Sequence, residues 1–411
     1  MKNNIHNLMK ENNIDAILIT GAGQHNPPMV YLTGGGHLTN ADLIIKYGHE
    51  PILYHGSMER DEAAKSGYKT KSYDTYPYEE IKKLAQGNPV DFQAIRYLEM
   101  LKDADITEGN IAIYGNCDIS GKFAVFSRVQ ALSPKINFVG FVNDPIIMTA
   151  MMTKDSNEVE RIHRMGKITT SVVGKVADYL TSNSVNKETL IKENGQPLTI
   201  GDVKSKINFW LAEAGAENPE NTIFAIGRDA GIPHSQGNPD DTIQLGKTIV
   251  FDIFPCEIGG GYYYDFTRTW CLDYAPENIQ KSFDQVKYVY DTVVSELKVN
   301  EPFKRYQKRT CELFENMGHP TVHSHPGTES GYVHSVGHGL GLNIHEMPFS
   351  GVTSSDNEVL ASGSVFTIEP GLYYPDDGFG IRIEDSYFVT QDGKIEIISH
   401  YPYDLVLPMK K

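Results

Sequence analysis

Residues 250–270 read VFDIFPCEIGGGYYYDFTRTW, two apolar, β-branched and aromatic runs each broken by one aspartate. The runs from Ile249 to Phe254 and from Tyr262 to Trp270 predict strands, and Gly259-Gly260-Gly261 predicts the turn between them. A hairpin centred near Ile258 and Gly259 sets Asp252 opposite Asp265. Facing residues in such a pair have Cβ atoms ~4.5–5.5 Å apart, and like charges there are destabilising.

Acids break apolar runs elsewhere too. VFTIEPGLYY holds Glu369, FGIRIEDSYFVT holds Glu384, and HSVGHGLGLNIHE supplies His334, His338 and His345. One such acid alone reads equally well as the wet face of a half-exposed strand. Together they do not, because Val250, Asp252 and Phe254 share one face of a regular strand, as do Tyr263, Asp265 and Thr267. A charge among large apolar neighbours needs a partner. Arg268 and Arg382 are the main nearby cations, too few for four acids. Two divalent cations between the carboxylates resolve the conflict, and dinuclear sites hold their ions about 3.5–4 Å apart. One imidazole with four carboxylates is an oxygen-rich donor set, suited to Mn²⁺, Co²⁺, Zn²⁺ or Fe²⁺.

The bulk composition, 40% hydrophobic and 22% charged, is that of a soluble globular protein. The 411 residues predict two or three domains. Lys+Arg 37 against Asp+Glu 53, a net charge of −16, argues against nucleic acid or anionic membranes as partners. No run is apolar enough for a membrane span, and the first twenty residues do not read as a signal peptide. Cys117, Cys256, Cys271 and Cys311 have no CxxC spacing and read as reduced thiols of a cytoplasmic protein.

Along residues 1–152, strand signals at 15–20, 41–47, 51–56 and 110–115 alternate with helical stretches, which predicts an α/β domain. The glycine-rich 34–40 lacks the Lys-Ser/Thr of a phosphate loop and reads as a turn. Asp155 with Glu158 three residues later opens a long helix, the start of a second domain over 153–411. There, helices at 199–214, 276–298 and 302–317 alternate with hairpin-like pairs at 249–269 and 365–390, an α+β pattern with an antiparallel sheet.

The order Asp, Asp, His, Glu, Glu, in VFDIFP, GGYYYDFTRTW, GHGLGLNIHE, TIEPGLYY and GIRIED, resembles the pita-bread metallopeptidases. These are the methionine aminopeptidases, Xaa-Pro aminopeptidases and prolidases. The first 152 residues, with MVYLTGGG and LIIKYGHEPILYHGSMERDEA, resemble the creatinase-type N-terminal domain of the proline-directed branch. The resemblance implies Asp252 as chelating ligand of one metal, Asp265 and Glu384 as bridging ligands, and His338 and Glu369 as ligands of the other. It implies that His234, in GIPHSQGN, orients substrate at the scissile bond, and that His345 steadies the developing oxyanion. His334 would line the substrate pocket and Arg382 would support the site. Relatives that only bind, and metal-free creatinase, would show gaps in this ligand set, and none occurs here. The spacing from Asp252 to Asp265 is slightly wider than in most relatives, and His319, His323 and His325 add a histidine-rich loop over 318–332. That loop reads as solvated and bordering the pocket rather than as a second metal site.

The chemistry implied is hydrolysis of an N-terminal Xaa-Pro bond by a metal-activated water, with Glu369 as proton carrier. Two divalent ions, most naturally Mn²⁺ with Co²⁺ or Zn²⁺ as alternatives, and a homodimer follow from the same likeness. The alternative is a prolidase, which must bind the free carboxylate of a dipeptide. That carboxylate calls for a cation, best a bidentate Arg. Gly318 to Gly351 contains no Arg or Lys, which favours an aminopeptidase.

Overall fold

The computed structural model describes residues 4–410 and forms two compact units. One runs to Met151 and takes in Gly259–Gly261. The other runs from Met152 to Ile258 and resumes at Tyr262.

The first unit is built on a six-stranded mixed sheet, in the order Lys69–Ser72, Ile52–His55, Ala41–Lys46, Ala16–Gly21, Gly109–Tyr114, Ile136–Val139. Its central strand, Ala16–Gly21, is buried along its whole length. It runs antiparallel to Ala41–Lys46 and parallel to Gly109–Tyr114. That double burial explains the unbroken apolar run AILIT. Helix Pro89–Asp103 starts where Asn88 accepts from the Val90 and Asp91 N–H groups, with proline in the first turn. It packs Tyr97, Met100 and Leu101 into one core with Leu18, Ile44 and Val129. The unit is α/β, as the alternating pattern predicts.

The second unit opens with helix Ser156–Thr181. Its capping box is the expected one: Asp155 accepts from the Glu158 N–H, and Glu158 accepts from the Asp155 N–H. Helices Ile200–Glu213, Glu277–Glu296 and Lys304–Asn316 follow within a few residues of their predicted bounds. Two sheets carry the site. One has the order Ile223–Ile226, Ile249–Ile253, Phe266–Leu272, Val406–Leu407. The other has the order Glu346–Phe349, His338–Gly339, Val365–Ile368, Asp385–Val389, Ile395–Ile397. Their pairings are antiparallel apart from Phe266–Leu272 with Val406–Leu407. The sheets meet where Thr267 and Glu384 exchange backbone hydrogen bonds of 3.4 and 3.1 Å.

The opening hairpin departs from its expected register. Asp252 faces Thr267, not Asp265, and Ile253 faces Phe266. The same register continues to the turn through Tyr264 N–H to Pro255 O and Glu257 N–H to Tyr262 O, each 3.1 Å. The cause is the turn. Gly259 and Gly260 both take positive φ, +88° and +72°, which a two-residue type I′ turn requires. The centre therefore falls between these glycines, one residue later than assumed, and every pairing moves by two. A shift of two leaves all side chains on their faces. Asp252 and Asp265 stay on one face as diagonal neighbours, ~7–8 Å apart instead of ~5 Å.

Candidate metal centre

Each acid reaches the site from a different element. Asp252 lies in strand Ile249–Ile253, and Asp265 immediately precedes strand Phe266–Leu272. His338 opens strand His338–Gly339, Glu369 follows strand Val365–Ile368, and Glu384 sits between Arg382 and Asp385 at the junction of the sheets. All five line one cavity of about 680 Å³, together with His234, His334, His345 and Arg382. Every sequence-predicted site residue is thus brought to one place. The histidine-rich loop is not: among the described residues His319, His323 and His325 do not line this cavity. His319 instead hydrogen-bonds Tyr374 and Gln285, and His323 lies 3.3 Å from Glu315.

One oxygen each of Asp265 and Glu384 and one nitrogen of His338 lie within 4.8 Å of one another. His338 Nε2 stands 3.6 Å from Asp265 Oδ2 and 3.4 Å from Glu369 Oε1. Its Nδ1 faces the Gly339 carbonyl at 3.0 Å and must carry the proton to donate there. Burial, with His345 and His334 nearby, lowers the pKa of His338 to about 3, so the ring is neutral. The bare Nε2 lone pair then faces carboxylate oxygens, a donor set that suits a cation between them.

The acids show the same need. Burial, then Asp252 and Glu369, holds the Asp265 carboxyl well above its usual range. Burial, then Asp265, does so for Glu384, and burial raises Glu369 to about 8. The only cation among the residues lining the cavity is Arg382, and it is already bound to Asp252. Asp252 Oδ1, Asp265 Oδ1 and Glu384 Oε1 are buried without a hydrogen-bond partner. Buried polar atoms are otherwise almost always satisfied, so three orphaned oxygens in one cavity fit a bound cation.

The sequence reading missed two supporting residues. Thr267 donates its hydroxyl to Glu384 Oε2 at 2.7 Å and accepts from Arg382 Nε at 3.2 Å, which fixes the carboxylate's orientation. Its place on the Asp265 face of the strand was the available signal. Tyr373 is fully buried and accepts from Arg382 Nη1 at 2.6 Å. Its hydroxyl lies 2.8 Å from His334 Nε2, while His334 Nδ1 faces the Ser335 carbonyl at 2.7 Å. Nothing local in GLYY marks that contact. Arg268, the other predicted partner, pairs with Asp385 at 2.8 Å and so serves the sheet junction.

Solved structures share this architecture. An X-Pro aminopeptidase from Thermotoga maritima superposes with a TM-score of 0.74 at 20% identity, covering 95% of this chain and 97% of that one. The prolidase from Pyrococcus furiosus gives 0.72 at 22% identity, covering 97% and 99%. The fold and its acid-lined cavity define a pita-bread metallohydrolase with an added N-terminal unit. The chain belongs to metallopeptidase family M24, whose family model matches residues 160–391. In sequence, it is 26% identical over 398 residues to the Xaa-Pro dipeptidase of Pyrococcus furiosus, covering 96% of this chain and 97% of that protein. Membership of this family implies divalent metal ions. Among the described residues no helix is long and apolar enough to cross a membrane.

Proposed function

We propose that this chain hydrolyses the Xaa-Pro bond at the N-terminus of peptides, using two divalent metal ions. The observation that carries the metal-dependent reading is the convergence of four carboxylates and a neutral imidazole with three unpartnered carboxylate oxygens. The proline preference is supported by the names of the relatives. The reading assigns residues 1–152 to a creatinase-type N-terminal domain and 153–411 to the catalytic domain. Asp252, Asp265, His338, Glu369 and Glu384 hold the metals. Mn²⁺ is the preferred ion, since oxygen donors outnumber nitrogen four to one. A homodimer and a cytoplasmic setting complete the reading, the latter supported by four free cysteines.

When bound, the ion pair supplies a Lewis acid and brings the pKa of a water towards neutrality. The protein's residues do the rest. Glu369 takes the proton of that water and passes it to the leaving proline nitrogen. His345, at the cavity surface, donates to the oxyanion, and His234 orients the leaving side. His334, held through Tyr373, shapes the wall against the proline ring. A bond to proline has no N–H to recognise, so the ring must be accepted by shape.

Aminopeptidase is favoured over dipeptidase by the charges around the cavity. Its lining cation, Arg382, is committed to Asp252, and the wall also carries the acid Glu220. A dipeptide's free carboxylate therefore meets no uncommitted Arg or Lys among the lining residues, and a longer peptide brings no such charge close to the metals. The dipeptidase reading is kept because the Pyrococcus furiosus relative bears that name. The test compares Gly-Pro with a longer Xaa-Pro peptide in the same Mn²⁺ buffer. Efficient cleavage confined to the dipeptide reverses the length assignment, and cleavage only of Met-Ala termini removes the proline assignment.

A further inference from the structure

Glu346 follows His345 in the chain and points the other way. His345 is exposed in the cavity wall, its ring centroid 4.4 Å from that of His338. Glu346 is fully buried. One of its oxygens accepts from Lys154 Nζ at 2.8 Å, and the other accepts from the Asn343 N–H at 2.9 Å. The two charged side chains are 2% and 1% exposed. Lys154 is anchored in turn. Its N–H donates to Gly363 O at 2.8 Å, and Thr153 beside it bridges to Ser364. There is no slack in the contact: a Cβ on Gly341 would stand 2.6 Å from Glu346 Oε2 and 2.8 Å from Lys154 Cε.

A buried ion pair is a poor device for stability alone. Desolvation offsets most of its Coulomb energy, and apolar residues of similar volume often stabilise as well or better. Apolar packing cannot supply direction, however. Here the ammonium fixes one carboxylate, and the carboxylate fixes the turn from Asn343 to Glu346. Glu346 opens strand Glu346–Phe349 and is joined to His345 by one peptide bond at the end of that turn, so a fixed Glu346 and a fixed turn limit where His345 can point. Neither Lys154 nor Glu346 is among the residues lining the cavity, so neither touches substrate.

We propose that the Lys154–Glu346 pair is a positioning device for His345, setting where that imidazole meets the oxyanion. The proposal rests on the role given to His345 above, and its test separates the two. The paired variant Lys154→Met/Glu346→Met removes both charges and leaves no buried ion unpaired. It is compared with His345→Ala and the parent, using an Xaa-Pro peptide with metal content and thermal transition recorded. The expected result is two metals per chain, a transition at least as high as the parent's, and KM within about twofold. Turnover should fall about 10- to 100-fold, since a misplacement near 1 Å can lose 10²-fold. Parental kcat in the paired variant, with His345→Ala impaired, overturns the positioning role alone. Parental kcat in His345→Ala overturns the site reading instead. Should the paired variant not fold, Gly341→Ala pushes on the same contact with one methyl. Lower kcat with metal and KM kept supports the proposal there too, and unchanged kcat overturns it.

Discussion

His338 shows how one side chain can mark a candidate metal position. Its proton is committed to the Gly339 carbonyl, so its other nitrogen can only accept. That nitrogen faces Asp265 and Glu369, which also only accept when ionised. Removing one of the groups around it should therefore read out directly as lost metal. Asp265→Ala and Glu384→Ala should each lower the occupancy of both metal positions, measured by elemental analysis of purified protein, and two full equivalents in either variant would contradict the bridging role. His338→Ala should empty chiefly one position. Histidines beyond the ligand set should behave in the opposite way. His345→Ala and His234→Ala are expected to keep metal and fold while kcat falls about 10²–10³, the usual loss of one oxyanion donor. Steady-state kinetics at saturating metal decides this, and wild-type turnover in either variant cancels that residue's role.

The strands that carry the acids are held by one buried guanidinium. Arg268 donates to the Thr267 and Glu384 carbonyls at 2.9 Å each, to Asp385 at 2.8 Å, and to the Pro402 and Tyr401 carbonyls at 2.9 and 3.0 Å. It thus fastens strand Phe266–Leu272 to the segment presenting Glu384. Asp385 also accepts from Tyr290 and Tyr403, but Arg268 is the positive charge it pairs with. Replacing Arg268 with Met strands a buried carboxylate, and breaking such a pair typically destabilises by about 3–5 kcal/mol. Denaturant titration of Arg268→Met should show a loss of that order, and a midpoint equal to the parent's would refute the clamp. At the other end of the same unit, Asp155→Ala removes the carboxylate that accepts from the Asn157 and Glu158 N–H groups. That should destabilise helix Ser156–Thr181 by about 1 kcal/mol without changing kcat.

At the scale of the molecule, the cavity's acids make folding and metal binding one equilibrium. The net charge of −16 already opposes compaction, and five carboxylates, Glu220 among them, line a single cavity with one guanidinium. A ligand that binds only the folded state stabilises it, by about 2.7 kcal/mol at a hundred times its Kd. Stripping with chelator should therefore lower the calorimetric transition, and adding back Mn²⁺ should restore it. Equal transitions with and without metal would show that the acids are satisfied in some other way.

The linear chain determined a good deal of this. Strand and helix periods, the Asp155–Glu158 cap and the glycine-marked turn are local signals, so the elements were legible close to their true bounds. The four acids were legible for a related reason: a charge inside an apolar run is a local anomaly, and several in one chain predict a common site, while the roles of the histidines and Arg382 were read from the resemblance of their motifs. Register was legible only to its parity, since face depends on counting by two while the partner depends on which residues take positive φ. What tertiary structure alone decided are the contacts between residues far apart in sequence. Tyr373 meeting Arg382 and His334, Arg268 turning to Asp385, and Lys154 reaching Glu346 carry no local mark. A tyrosine, arginine or lysine looks the same in sequence whether it ends in solvent or under a cavity floor. Only the packing of the two sheets and the long helix gives these side chains their partners.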